Sequence, residues 1–376
     1  MFLLRLVFLL MPLTQPAVID VRDYGAVPDD GKDDTFAIQS AIEAARNGQI
    51  VRFPPGVFEI SRPINPRGSG RTIQGATQLI WQGDHIVAQS ETILKARTSK
   101  PIFYFRGVNL TLRNLSFDGR ALFCDRDNNE MVESLVIDNC AFRGELSGHD
   151  DNFIEFTTGL QNSKITNCLF DPIHADSAIY GYNWRNLLIA NNLFLNGNEG
   201  IHLIAHYNPS KDLLIEQNYF AGLHRMGIEY QGGGSDTIVQ DNYYEKPVMT
   251  NQFHDNDSTF AYSIVADRSR GSIIRRNTSI APERPDGAGV RVIFELGGHD
   301  FQCIDNYSAG GQYVVAVNGT NATGVVQHNR FRDFQNPPMN FNGAVAKIAD
   351  NSPDANLTWD VNREKPGPNR RLPTGK

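Results

Sequence analysis

The chain has 376 residues, enough for two average domains or one elongated solenoid, with 40% apolar and 20% charged residues as in ordinary globular proteins. Its formal charge of −7 and the lack of a basic block or stripe argue against a nucleic-acid partner. Gly, Asn and Asp are abundant, which suits many short strands joined by tight turns.

The chain opens with "MFLLRLVFLLMPLTQPA": one early Arg5, an apolar run from Leu6 to Leu10, and small Ala17. This run is too short for a bilayer and leads directly into a globular pattern, so residues 1–17 read as an export signal. No later segment is apolar enough to cross a membrane, and the export signal gives a secreted or periplasmic expectation.

The next segment, "VIDVRDYGAVPDDGKDDTFAIQSAIEAA" followed by "VRFPPGVFEI", reads as a strand, an Asp- and Gly-rich turn, a helix and a further strand. Asp34 or Thr35 can cap a helix near residues 35–46, with Phe36, Ile38, Ala41, Ile42 and Ala45 on one face. From about residue 112 a pattern of apolar-x-x-Asn-x-aromatic recurs, from "LRNLSF" at Leu112 to "VQHNRF" at Val326. Its spacings run from 23 residues (Cys303 to Val326) to 35 (Val239 to Ile274), the mark of a solenoid. Units this short cannot hold a four-stranded propeller blade, so a single right-handed parallel β-helix is predicted over residues 18–350, N-capped by the helix. Asn192, Asn218, Asn242, Asn277, Asn306 and Asn329 would then form a ladder at one turn, tolerating left-handed backbone and satisfying turn amides. Cys140 and Cys168 hold equivalent places in "IDNCAF" and "ITNCLF" and read as stacked core residues; a bridge between them is not required. The Pro- and Arg-rich stretch 351–376 lacks a core pattern and reads as a loosely ordered tail.

The opening motif of residues 18–60 resembles that of the pectate-lyase-3-like group of the pectin-lyase-fold superfamily, and the repeats extend the likeness to about residue 335. The resemblance implies a β-helix acting on carbohydrate without naming a substrate.

Aligning the strands "NFIEFTT", "SAIYGYN", "EGIHLIAH", "MGIEYQG", "FAYSIVA" and "GVRVIFE" with Ile154, Ile179, Ile201, Ile228, Ala261 and Val290 inward gives an outward column of Glu155, Tyr180, His202, Glu229, Tyr262 and Arg291. The neighbouring outward positions include Tyr182, Gln231 and Ile264. Any one of these can be an ordinary wet-face residue, since strand exteriors are polar by default. As a set they suggest catalysis by Tyr180, His202 and Glu229, with substrate contacts from Glu155, Tyr182, His206, Arg225, Gln231, Tyr262 and Arg291. Asp176 and Glu199 stand at strand entrances, and long inserts after Glu245 and Ile280 can wall a groove.

Removal of the proton α to a uronate carboxylate, which begins both β-elimination and C5-epimerisation, needs a base, an acid and a charge-neutralising group. His202, Tyr180, and Arg225 or Gln231 with a protonated Glu229 can fill these roles. The chain is therefore expected to be a polysaccharide lyase or epimerase. Hydrolysis is the near alternative, with Glu229 and Asp176 or Glu199 as carboxyls. A non-catalytic glycan-binding module, as in tailspikes and adhesins, is a third reading. "GHDD" at 148–151 and "GGHD" at 297–300 do not complete the acidic, Gly-His-Gly and Arg-x-Lys set of the superfamily's pectin hydrolases. Likeness to mannuronan epimerases stops at Tyr180-Gly181, without a downstream Asp-Pro-His. No cofactor is expected. Calcium stays open, but "HDD" at 149–151 and "HDND" at 254–257 read first as turns. A polysaccharide is the expected partner and a monomer the expected state.

Overall fold

The computed structural model describes residues 17–353, apart from 68–69, 83–84, 106–108, 125–130, 145–150, 172, 206–209, 233–234, 246–261, 281–291, 312, 319–320, 335–338 and 342–344. The export signal except Ala17, most of the C-terminal tail, both long inserts, and the acidic stretches 148–150 and 254–257 lie outside the described residues.

Successive repeats hydrogen-bond to one another in parallel, building sheets of 14 and 20 strands among the described residues. The predicted right-handed parallel β-helix is the fold. One antiparallel hairpin, Gln78–Gln82 with His85–Gln89, decorates the coil and places Leu79 on an outer apolar stripe with Ala141, Leu169, Leu193 and Tyr219.

The repeat pattern dictates this stacking. From Phe117 to Tyr244 the aromatics that end successive repeats point inward and stack rung upon rung. Phe117, Phe142, Phe170, Phe194, Phe220 and Tyr244 form a continuous stack with ring centroids 5.0, 4.6, 4.8, 4.8 and 4.7 Å apart. Such offset-stacked pairs add stabilisation beyond their buried area. The asparagine ladder lies beside them and is buried. Asn218 Nδ2 donates to Ile189 O at 2.9 Å and to Asn242 Oδ1 at 3.0 Å, and the motif repeats from Asn192 to Asn351.

The ladder residues do not themselves take the left-handed conformation. The residue before each one does: Asn191, Gln217, Asp241, Arg276, Asp305, His328 and Asp350 all have φ between 53° and 57°. The turn therefore divides its work. The first residue bends the chain, and the second ties the loop carbonyls together. Cys140 and Cys168 continue this column, with Cys168 N donating to Asn192 Oδ1 at 2.9 Å, and all four cysteines are buried and unbridged.

Helix α1 (Thr35–Ala44) plugs the N-terminal end of the coil. Ile38, Ala41, Ile42 and Ala45 are buried as expected, whereas Phe36 is 71% exposed. Phe36 precedes Ile38 by two residues, about 200° around a helix, so it faces away from the plug. Capping differs from expectation too. Asp33 Oδ1 accepts from Thr35 N at 3.1 Å, while the Asp34 carboxylate bonds Val27 N and Glu59 N and ties the helix start to the first coil.

Candidate active site

Four adjacent strands carry the site: Ile154–Phe156, Ile173–Tyr182, Leu193–Ile204 and Tyr219–Gln231. Their register pairs Glu155 with Tyr180, Tyr180 with His202, and His202 with Glu229. Ile154, Ile179, Ile201 and Ile228 are buried beneath them. This part of the column stands as the alternating pattern required.

The next rung departs from it. Tyr262 pairs with Met226, and Val265 takes the place beside Glu229. Ile264, read as outward, pairs with Ile228 and is fully buried. The run Ile264-Val265-Ala266 is apolar at every position, so its alternation carries no phase, and a shift of three residues exchanges the two faces. Glu295 pairs with Val265 and occupies the rung expected for Arg291. Arg291 and His206 lie outside the described residues. Trp184, an aromatic that follows Tyr182 closely in sequence, is buried in the core and offers no face to a sugar.

His202 is 13% exposed and sits between two carboxylates. Its Nδ1 is 3.2 Å from Glu199 Oε2, and its Nε2 is 3.6 Å from Glu229 Oε2. Neither contact is aligned as a finished hydrogen bond. Glu199 has no exposed surface; it accepts from Ser177 Oγ at 2.9 Å and pairs with Arg225 Nη1 at 2.8 Å. Glu229, 7% exposed, accepts through Oε1 from Gln231 Nε2. Tyr180 stands edge-on to the imidazole, centroids 5.2 Å apart, and its hydroxyl donates to Tyr182 at 3.0 Å.

Glu155 and Arg225 each have a charged partner. Glu155 is bound by Arg120 at 2.5 Å, and Arg120 also reaches Asp151 at 3.4 Å. Arg225, expected to meet substrate, pairs with Glu199. A strand irregularity makes this possible: Gly197 pairs with Leu223 but Glu199 with Met226, so the second strand contains one more residue than the first. Such bulges re-aim side chains next to functional sites.

The protonation states are set by this arrangement. Burial alone would raise the Glu199 carboxyl, but His202, Arg225 and Ser177 outweigh it and hold it below its ordinary value. Burial opposes the His202 imidazolium, yet Glu199, then Glu229 and Asp176, lift it above its ordinary value. Glu229 is raised by burial and by Glu199, which His202, Gln231 and Arg225 offset only in part. Tyr180 is pushed up by burial, by Tyr182 and by Glu155 and Asp176, so it stays a phenol. One carboxylate is thus fixed as an anion, the other is eased towards its acid form, and an imidazole of enhanced basicity lies between them.

Glu199, His202 and Glu229 each bring one ligand atom within 4.8 Å of the others, the beginning of a cation site. The carboxylates, however, address opposite nitrogens of the ring, whereas a metal on one nitrogen needs its other ligands gathered on that side. Calcium would in addition demand more oxygen ligands than this trio supplies. The set fits a proton relay better than a metal cage.

Among the described residues, no helix is long and apolar enough to cross a membrane. Comparison with known proteins agrees with the fold. Over 256 residues the chain is 24% identical to mannuronan C5-epimerase AlgE3 of Azotobacter vinelandii, covering 61% of this chain but only 12% of that protein's length. Among solved structures, it resembles the GH136 lacto-N-biosidase of Eubacterium ramulus with a TM-score of 0.59 and 14% identity, over 90% of this chain and 68% of that one. It also resembles a hyperthermoactive exopolygalacturonase of Thermotoga maritima with a TM-score of 0.52 and 11% identity, over 88% and 91% of the two chains. The profile of the rhamnogalacturonase A/epimerase, pectate lyase-like family matches residues 18–257. With well over half of its length matched, the chain belongs to that family.

Proposed function

We propose that the protein is an exported polysaccharide-active enzyme that abstracts the proton α to the carboxylate of a uronic-acid residue, acting as a lyase or C5-epimerase. The observation that carries this reading is the pairing of His202 between two carboxylates, the fully buried Glu199 3.2 Å from Nδ1 and Glu229 3.6 Å from Nε2. A base oriented by a second, inaccessible acid is the general form of an activated proton acceptor. In the reaction His202 takes the α-proton, with the Glu229 carboxyl that covers its Nε2 moving aside onto the substrate. Glu229, kept towards its protonated form, donates a hydrogen bond to the developing enolate-like oxygen. Tyr180 supplies a proton to the departing glycosidic oxygen.

Elimination is favoured over epimerisation by one feature. The Tyr180 and His202 rings touch, with centroids 5.2 Å apart, which leaves no space for a sugar between them. Both must meet a sugar from the same side, as an acid–base pair for syn-elimination does. An epimerase returns its proton to the opposite face.

Hydrolysis is the second reading, because a carboxyl raised by burial, such as Glu229, suits a general acid. Glu199 cannot serve as the partner carboxyl, having no surface to offer a sugar. The test is incubation with polygalacturonate, alginate and neutral glucans, following the unsaturated-uronate chromophore against new reducing ends, with Glu229→Gln in parallel. A chromophore with the parent and partial activity in Glu229→Gln is expected. Reducing ends without a chromophore, abolished by Glu229→Gln, would sink the elimination reading.

A further inference from the structure

The site holds two arginines whose charges are already committed. Arg225 is clamped on fully buried Glu199, and Arg120 is shared by Asp151 and Glu155. Neither can turn to an acidic substrate without stranding a buried or half-buried carboxylate, which is costly. A third arginine stands differently. Arg268 is 74% exposed, and its Nη2 donates to Gln231 Oε1 at 3.2 Å, the same Gln231 whose amide nitrogen donates to Glu229. Hydrogen bonds therefore run from Arg268 through Gln231 to Glu229, which lies 3.6 Å from His202 Nε2.

The backbone at Arg268 is unusual. Ala266 pairs with Leu296 and Ser269 with Gly298, so its strand contains one residue more than its partner at this point. Within that bulge Arg268 takes φ 48°, in the left-handed region that non-glycine residues adopt at a cost. A regular strand would send alternate side chains to fixed faces; the bulge instead turns this guanidinium beside Gln231. Its other contact, Nε to Asp267 at 2.8 Å, joins two exposed groups. Such a pair contributes little and exchanges partners readily.

Building on the proposed uronate chemistry, we propose that Arg268 is a specificity-determining residue that anchors a carboxylate of the acidic polysaccharide at the edge of the site. The planar guanidinium can grip a carboxylate through two parallel hydrogen bonds, exchanging Asp267 for substrate. Gln231 holds it in place and links its occupancy to Glu229. Arg268 thereby takes the role that the committed Arg225 does not fill.

Binding, rather than turnover, isolates this role. In a His202→Ala background, binding of polygalacturonate and alginate would be measured by calorimetry beside their carboxyl-reduced, neutral counterparts. Adding Arg268→Gln should weaken the acidic polymer about 10-fold, the usual worth of a charge-assisted bond, and leave the neutral one unchanged. Arg268→Lys should restore part of the loss, since it keeps the charge without the fork. Equal binding of polyuronate with and without Arg268→Gln overturns the inference and leaves the uronate reading intact. Equal weakening of acidic and neutral polymers also overturns it. If the His202→Ala protein binds neither polyuronate, the uronate reading falls and this inference with it.

Discussion

Glu199 and His202 are three residues apart on one strand, yet their side chains meet, with Oε2 3.2 Å from Nδ1. On a regular strand an odd separation places side chains on opposite faces. In the proposed mechanism Glu199 is a positioning residue, the carboxylate beside Nδ1 that raises the basicity of His202. A base must be unprotonated, so kcat/KM should rise with pH through a value above the ordinary 6.5 of histidine. Glu199→Gln should lower turnover and move that limb to lower pH. A pH–rate profile checks both, and an unmoved limb would show that Glu199 does not tune the base.

The same pair gives a pH-dependent stability. Glu199 is depressed in the folded state, so its contribution is present above the ordinary 4.5 of glutamate and is lost as pH falls through its lower folded value. His202 is raised, so its contribution is complete below 6.5 and is lost as pH rises through its higher folded value. The Tm difference between parent and Glu199→Gln should be largest between these two ordinary values and shrink on either side. Thermal melts from acid to alkaline pH would measure it. A difference independent of pH would mean that Glu199 acts by packing alone.

His202→Ala and Tyr180→Phe should each reduce turnover by roughly 10²- to 10⁴-fold, the share of general acid–base catalysis. Their stability costs should differ. Removing His202 leaves a buried carboxylate short of a partner, costing about 1–3 kcal/mol. Tyr180→Phe loses one hydrogen bond to Tyr182, about 1 kcal/mol. Steady-state kinetics with denaturant melts separate the two effects. Full activity in both variants would reduce the column to a wet outer face.

Asn218→Ala tests the ladder. It removes the acceptor of Asn192 N and Nδ2 and the donor to Ile189 O, all buried. Several unsatisfied polar groups should cost about 2–5 kcal/mol in total, far more than an exposed Asn→Ala. Denaturant unfolding of Asn218→Ala beside an exposed control, Asn321→Ala, would read the difference.

The sequence by itself determined the coil and most of one column. Repeats of apolar-x-x-Asn-x-aromatic define the rung, because a parallel ladder stacks like on like, and strict alternation around Ile179, Ile201 and Ile228 sets Tyr180, His202 and Glu229 outward. Alternation is a local signal, and it ran out where Ile264-Val265-Ala266 gave it no phase. Only the tertiary structure decided how the site is wired. Glu199 reaches His202, and at strand irregularities of one extra residue Arg225 comes onto Glu199 and Arg268 beside Gln231. A bulge reverses the facing of the residues beyond it, and its position is set by how neighbouring coils fit together, which no period in a single strand records.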